Sequence, residues 1–82
     1  MISKTALHAL KALAEMAERP DELQGASAIA ARIGAPQNYL GKLLQALAQE
    51  GILYSQKGMG GGFRLARRPE EAQVGHRRER LD

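Results

Sequence analysis

The sequence predicts a mostly α-helical fold with one small β-hairpin, arranged as a winged helix-turn-helix of three helices and a two-stranded wing. A short helical stretch beginning near residue 27 and a longer one at 36–50 are separated by a Gly-Ala-Pro turn. Two short alternating segments then follow around a glycine-rich, basic loop at 56–62. This order of elements places an exposed helix face and a cationic loop where double-stranded DNA could meet them.

Length and composition predict one small domain. The chain has 82 residues, of which 44% are hydrophobic, with one Phe and no Trp. Alanine and leucine supply most of this apolar content, which favours helices packed on helices. A chain of this size buries only about 60% of the surface that its unfolded form exposes, so we expect a thin margin of stability. We assign the winged helix-turn-helix to residues 1–74 and a charged, disordered tail to residues 75–82.

The first helix is expected to begin after Ser3, whose hydroxyl can accept a hydrogen bond from an orphan backbone N–H group, and to run to about Glu18. Pro20 closes it. His8 is interpreted as a packing or surface residue and not as a ligand. Five residues at helical spacing predict the buried stripe of this helix: Leu7, Leu10, Leu13, Ala14 and Ala17.

The next two helices form the predicted helix-turn-helix. Ser27 is expected to cap the second helix, and Gly34 suits the left-handed conformation that often follows a helix end. Pro36 fits the first turn of the third helix, and Gly51 stops it. The residues predicted to face inward are Ile29, Ala30 and Ile33 in the second helix and Leu40, Leu43, Leu44 and Leu47 in the third. The opposite face of the third helix carries Gln37, Asn38, Gly41, Lys42, Gln45 and Gln49.

Two segments, 52–55 and 63–66, alternate as the strands of a half-buried hairpin. The loop 56–62 between them is too long for a two-residue turn, and its glycine content predicts that it holds no single rigid shape. A phosphate-binding loop would follow a strand and open a helix, whereas a strand follows these glycines. Pro69 could start a fourth helix, but the sequence after it offers no apolar stripe.

The residue composition argues against several classes of functional site. The absence of cysteine excludes disulfides, thiolate metal sites and a cysteine nucleophile, and His8 and His76 make no metal-ligand spacing. We therefore expect no metal and no cofactor. No paired acids or nucleophile with a base suggest catalysis, so we expect neither an enzyme nor a small-molecule substrate. No apolar stretch is long enough for a membrane helix and no signal peptide is evident, which predicts a cytoplasmic protein.

The third helix is the candidate DNA-reading element. Major-groove recognition needs hydrogen-bonding side chains near the N-terminal end of a helix with a hydrophobic back. Gln37 and Asn38 can bond adenine edges, while Tyr39 and Lys42 suit phosphates. In the wing, Lys57 could reach the minor groove or pair with a phosphate. The alternative is an ordinary solvated helix, and the wing that follows it favours the first interpretation. The net charge of +3 is concentrated from Lys57 onward.

Three segments resemble the Rrf family of bacterial winged-helix transcription regulators over roughly residues 1–74. They are MISKTALHALKALAEMA, ASAIAARIGAPQNYLGKLLQALAQEGIL and SQKGMGGGFRLARRPEE. The resemblance implies a homodimer that reads a palindromic promoter site, usually as a repressor. It also implies which residues contact DNA: Ser27, Gln37, Asn38, Tyr39, Lys42, Lys57 and Gly58.

The chain departs from the family pattern in three places. Gly41 replaces a larger polar residue, which predicts relaxed base readout, and Lys57 replaces an arginine, which keeps the charge but loses the planar fork. After Val74 the chain has neither the long dimerisation helix of the family nor the three-cysteine loop of its iron–sulfur sensors. We therefore expect no cluster and a weakened homodimer. The alternative function, of another class, is a protein-interaction or dimerisation module without DNA readout.

Overall fold

The computed structural model describes residues 2–67 as three helices and one antiparallel hairpin. The elements are α1 (Lys4–Ala17), α2 (Ala26–Ile33), α3 (Gln37–Gln49), β1 (Leu53–Gln56) and β2 (Gly62–Leu65). This arrangement confirms the predicted winged helix-turn-helix. The predictions of a helix from Pro69, of a domain limit at residue 74 and of a tail at 75–82 lie outside the described residues.

Helix α1 begins where the sequence predicted but buries a different face. Ser3 is its N-cap, and the Ser3 hydroxyl accepts a hydrogen bond from the Ala6 N–H at 3.1 Å. The predicted stripe is wrong except for Leu13, which is half-buried against the core: Leu7, Leu10, Ala14 and Ala17 are exposed. The buried residues of the helix are Ala12 and Met16. Because apolar residues cover much of this helix, their spacing is compatible with more than one rotation. The small side chain of Ala12 favours close packing against the rest of the core.

The start of α2 also differs from the expectation. Its N-cap is Gly25, with no side-chain capping bond, and Ser27 is an exposed residue inside the first turn. The predicted Ser27 cap is therefore wrong by two positions. At the other end Gly34 has a φ of 74° and the Ala35 N–H donates to the Ala30 carbonyl at 2.9 Å, which confirms the left-handed helix end.

Helix α3 is bounded by local signals at both ends. Pro36 is its N-cap, one position before the predicted first turn. Gly51 (φ 88°) follows the last turn, and the N–H groups of Gly51 and Ile52 donate to the Ala48 and Leu47 carbonyls at 3.1 and 3.0 Å. This pair of bonds is a Schellman motif, which turns the chain directly into the hairpin.

The hairpin is shifted by one residue relative to the prediction. Leu53 pairs with Leu65 at one end and Gln56 with Gly62 at the other. The connecting loop is therefore 57–61. In this loop the Gly61 N–H donates to the Gly58 carbonyl at 3.0 Å, which closes a turn.

A second pairing fastens the hairpin to the segment before α2. The N–H and carbonyl groups of Gln24 and Phe63 exchange two hydrogen bonds of 2.9 and 2.8 Å. Phe63 belongs to the single core of the described residues, which all three helices and both strands contribute to. That core consists of Ala12, Met16, Ile29, Ala30, Leu40, Leu44, Ala48, Leu53 and Phe63.

Candidate nucleic-acid interface

The outward face of α3 is polar and free of acidic groups. Leu40 and Leu44 are fully buried and anchor the opposite face, so their positions fix the rotation of the helix. Gln37, Asn38 and Lys42 are exposed, as predicted for the reader. Gln45 and Gln49 extend the same exposed face. Amide side chains can donate and accept at base edges, and a lysine can neutralise a phosphate, so this face has the chemistry that duplex DNA requires.

Tyr39 is placed differently from the other reader residues. It is half-buried at the edge of α3, and its hydroxyl lies 3.2 Å from Nδ1 of His8 on α1. The two rings meet edge to face with centroids 5.4 Å apart. Tyr39 therefore contacts α1 and helps to set where the first turn of α3 lies. His8 is a packing residue, as predicted.

Replacement of Tyr39 by phenylalanine is expected to lower the free energy of unfolding by about 1 kcal/mol, because it removes one partly buried hydrogen bond. Urea unfolding measures this loss. Tyr54→Phe is the matched control, since the Tyr54 hydroxyl bonds Gln56 at an exposed position. A stability unchanged by Tyr39→Phe, together with weakened DNA binding, would instead support the phosphate contact predicted from the sequence.

A shallow cleft of about 430 Å³ lies where the start of α1 meets the turn before α3. It is lined by Lys4, Thr5, His8, Gly34, Pro36 and Tyr39. Lys4 and Thr5 were not predicted as site residues. The signal in the sequence was the spacing of Lys4 and His8, four residues apart and hence on one face of a helix. The cleft places a cationic side chain beside the N-terminal end of the reader.

Ser27 lies in the first turn of α2, next to Ala26, which is the residue near the reader helix. A Cβ built on Gly41 would lie 3.9 Å from the Cβ of Ala26, so the first turn of α2 packs against the middle of α3. Gly41 is itself half-buried. Ser27, the next residue, is exposed. The first turn of α2, which contains Ser27, therefore lies beside α3, and Ser27 is not the helix cap.

Lys57 and Gly58, the two predicted wing residues, are exposed in the loop beyond the Gln56–Gly62 pair, at the opposite end of the hairpin from the Leu53–Leu65 pair. Gly58 has a φ of 93°, a conformation that favours glycine. The loop around them is narrow because a Cβ on Gly61 would lie 2.1 Å from the Gln56 carbonyl oxygen. The wing therefore carries a cation on a closely folded backbone.

Two arginines near the wing have structural contacts. Arg64 is buried, its guanidinium lies 4.3 Å from the centre of the Tyr54 ring, and it donates to the Leu65 carbonyl at 3.1 Å. Arg67 pairs with Asp21 at 2.9 Å between exposed side chains. The cations from Lys57 onward are therefore not all available to a ligand in the same way. Lys57 is exposed in the wing loop, whereas Arg64 is buried in β2 with its guanidinium against the Tyr54 ring.

Gln24 connects the hairpin to the helices, and no pattern in the sequence indicated this role. Its backbone pairs with Phe63, and its side-chain oxygen accepts a hydrogen bond from Arg32 at the end of α2. Arg32 also lies 3.7 Å from the Glu15 carboxylate on α1. This network joins α1, α2 and the hairpin, so it sets the position of the wing relative to the helices.

Two further findings concern metal-binding clusters and membrane spans. No three His, Asp or Glu side chains among residues 2–67 come together to hold a metal ion, and the sequence has no cysteine. The His, Asp and Glu side chains of residues 2–67 therefore do not form a site for iron. Within the same residues, no helix is long and apolar enough to cross a membrane.

Comparisons with known proteins agree on one family. The family model Rrf2, described as an iron-dependent transcriptional regulator, matches residues 2–76. A putative HTH-type transcriptional regulator of Aquifex aeolicus is 36% identical over 74 residues, covering 90% of this chain and 51% of the relative. The HTH-type transcriptional regulator NsrR of Bacillus subtilis is 39% identical over 59 residues, covering 72% and 40%.

Solved structures give the same result. T. potens IscR superposes with a TM-score of 0.74 at 28% identity, covering 87% of this chain and 53% of that one. CymR, the global cysteine regulator of B. subtilis, has a TM-score of 0.73 at 26% identity, covering 79% and 51%. The chain spans about half the length of the relatives it matches. With its three helices, its wing and a family match over nearly its whole length, this chain belongs to the Rrf2 family of transcriptional regulators.

Proposed function

We propose that this chain binds double-stranded DNA in a sequence-specific manner and regulates transcription, acting as a repressor by occupying promoter DNA. The observation that carries the proposal is the exposed hydrogen-bonding face of α3, held outward by the buried Leu40 and Leu44. In this arrangement α3 lies in the major groove, with Gln37 and Asn38 toward base edges and Lys42 toward a phosphate. A regulator of this kind works on the chromosome, in the cytoplasm of a bacterial cell.

The wing and the start of α2 supply the flanking contacts in this proposal. Lys57 and the bare backbone of Gly58 lie on the DNA backbone or in the minor groove, and the Ser27 hydroxyl donates to a phosphate. The charge distribution supports this placement. The reader and wing carry two exposed cations, Lys42 and Lys57, and the one acid between residues 34 and 67 is Glu50, whereas residues 15–22 contain four acids and one cation. The reader and wing therefore attract a polyanion more strongly than the end of α1 does.

The double variant Lys42→Ala with Lys57→Ala is expected to weaken duplex binding and to lower the salt slope, log Kd against log salt, by about 2, one unit for each lost phosphate contact. Fluorescence anisotropy of a labelled duplex over a salt series measures both quantities. Lys11→Ala is the matched control, because it removes an exposed lysine of α1 that lies outside the reader, the wing and the cleft. An unchanged affinity and slope in the double variant would show that the proposed contacts are wrong.

A second candidate function is protein association, and the exposed apolar face of α1 favours it. On α1, Leu7 and Leu10 are 42% and 54% exposed, and Ile2, which precedes the helix, is 59% exposed. We propose a homodimer that buries this face, which would set two reader helices against the two halves of a palindromic site. The alternative is an interaction module that uses the same face and reads no DNA.

Light scattering during size-exclusion chromatography distinguishes these outcomes when it is combined with the anisotropy measurement. A concentration-dependent dimer that Leu10→Lys converts to monomer supports the homodimer. A dimer that forms but does not bind any duplex at low salt supports the interaction module. A monomer at all concentrations contradicts association through α1.

A further inference from the structure

Met59 is the most exposed large apolar side chain among the described residues. It is 98% exposed, whereas Ile2, Leu7, Leu10 and Ile52 are 42–59% exposed. Single exposed apolar residues are common on protein surfaces, so exposure alone shows nothing. The position of Met59 is what distinguishes it, because it stands at the tip of the wing.

The turn at the wing tip has a defined geometry. The Gly61 N–H donates to the Gly58 carbonyl at 3.0 Å, which makes Gly58 through Gly61 a hydrogen-bonded β-turn with Met59 at its second position. Gly60, at the third position, has a φ of 75°, the value that a type II turn requires there. The turn therefore presents the Met59 side chain at its corner.

The segment around this corner is almost bare backbone. Of the residues from 58 to 62, Met59 is the one that carries a side chain. Glycine permits close approach of a backbone to a ligand. The minor groove of B-DNA is about 6 Å wide, so a tip with a single unbranched side chain suits it better than a bulky loop would. Lys57, exposed at the base of the loop, provides a charge for the phosphates that border the groove.

We propose that Met59 enters the minor groove beside the reader site and makes the wing selective for base pairs without a guanine amino group. This inference rests on the proposed DNA binding. The guanine N2 amino group projects into the minor groove, and A·T pairs have no such group. A methionine side chain can pack there against the sugar edges and wedge at a base step, as apolar side chains of minor-groove proteins do. Contact with a guanine amino group would instead bury a polar donor without a partner.

Alternating copolymer duplexes test this selectivity without knowledge of the operator. Poly(dI-dC) presents the same major-groove edges as poly(dG-dC) but lacks the N2 amino group, so the ratio of the two affinities isolates the minor groove. The protein is expected to bind poly(dI-dC) about fourfold more tightly, the factor for one buried methylene group. Met59→Ala should bring the ratio close to one, and Met59→Leu, which keeps an apolar side chain, should retain it.

Other variants separate the failure of this inference from the failure of the proposed function. Lys57→Ala should weaken binding to both copolymers equally, since its contact is with phosphates. A ratio near one for the unaltered protein, or a ratio that Met59→Ala leaves unchanged, overturns the role of Met59 alone. Absence of binding to either copolymer at low salt overturns the proposed function and this inference together. Because the Met59 side chain is nearly fully exposed, Met59→Ala should leave the free energy of unfolding unchanged.

Discussion

Replacement of Gly62 by alanine is expected to lower the free energy of unfolding by about 3 kcal/mol, from backbone strain and from two lost hydrogen bonds. A Cβ at this position would lie 2.6 Å from the Gln24 carbonyl oxygen and 2.7 Å from its carbon. Gly62 also has a φ of 146°, which a residue with a side chain rarely adopts. The added atom would push Gln24 away from Phe63 and break the pairing that fastens the wing.

Urea unfolding measures this loss, and Gly60→Ala is the matched control. Gly60 also has a positive φ, 75°, but a Cβ there would meet nothing within 4 Å. Its substitution should therefore cost only the left-handed backbone conformation, about 1 to 2 kcal/mol. Equal losses at the two positions would contradict the interpretation that Gly62 is required by the approach of Gln24.

Replacement of Leu44 by alanine is expected to lower the free energy of unfolding by about 2 to 5 kcal/mol. Leu44 is fully buried and belongs to the core shared by the helices and the hairpin. The substitution removes buried methyl and methylene groups and leaves a cavity, because the neighbouring side chains relax only partly. In a domain this small such a loss is a large share of the total stability, so the variant is expected to be partly unfolded at 25 °C. Circular dichroism and urea unfolding measure both effects.

Leu10→Ala is the control for Leu44→Ala, and it also tests the rotation of α1. Leu10 is 54% exposed, so its truncation should change the free energy of unfolding by no more than about 0.5 kcal/mol in the monomer. The measurement belongs at a concentration where light scattering shows no dimer, because Leu10 lies on the proposed dimer face. A loss as large as that of Leu44→Ala would mean that α1 buries the stripe predicted from the sequence.

The elements of the fold were predictable because their limits depend on local chemistry. Ser3 begins α1 with its own hydroxyl, while Gly34 and Gly51 end α2 and α3 by adopting a left-handed conformation. The rotation of α3 was also predictable, since its leucines occupy one side and its polar residues the other. The rotation of α1 was not, because its apolar residues extend around much of the helix and their spacing does not select a face.

The candidate site was predictable in part, because local sequence patterns also determine which of its residues are exposed. Gln37, Asn38 and Lys42 lie on a face that the periodicity of α3 directs outward, and Lys57 lies in a loop that two alternating segments define. The Tyr39 contact with His8 joins residues 31 apart in sequence, so no local pattern could indicate it. Whether these residues contact DNA is still a prediction.

The sequence by itself determined the order of the helices and strands, the turns between them and the outward face of α3, because each depends on residues close together in the chain. Tertiary structure alone decided which side of α1 is buried and that Gln24 fastens the wing to the helices. These features depend on contacts between distant segments, in which shape and hydrogen-bond satisfaction select one arrangement among several that the local pattern permits.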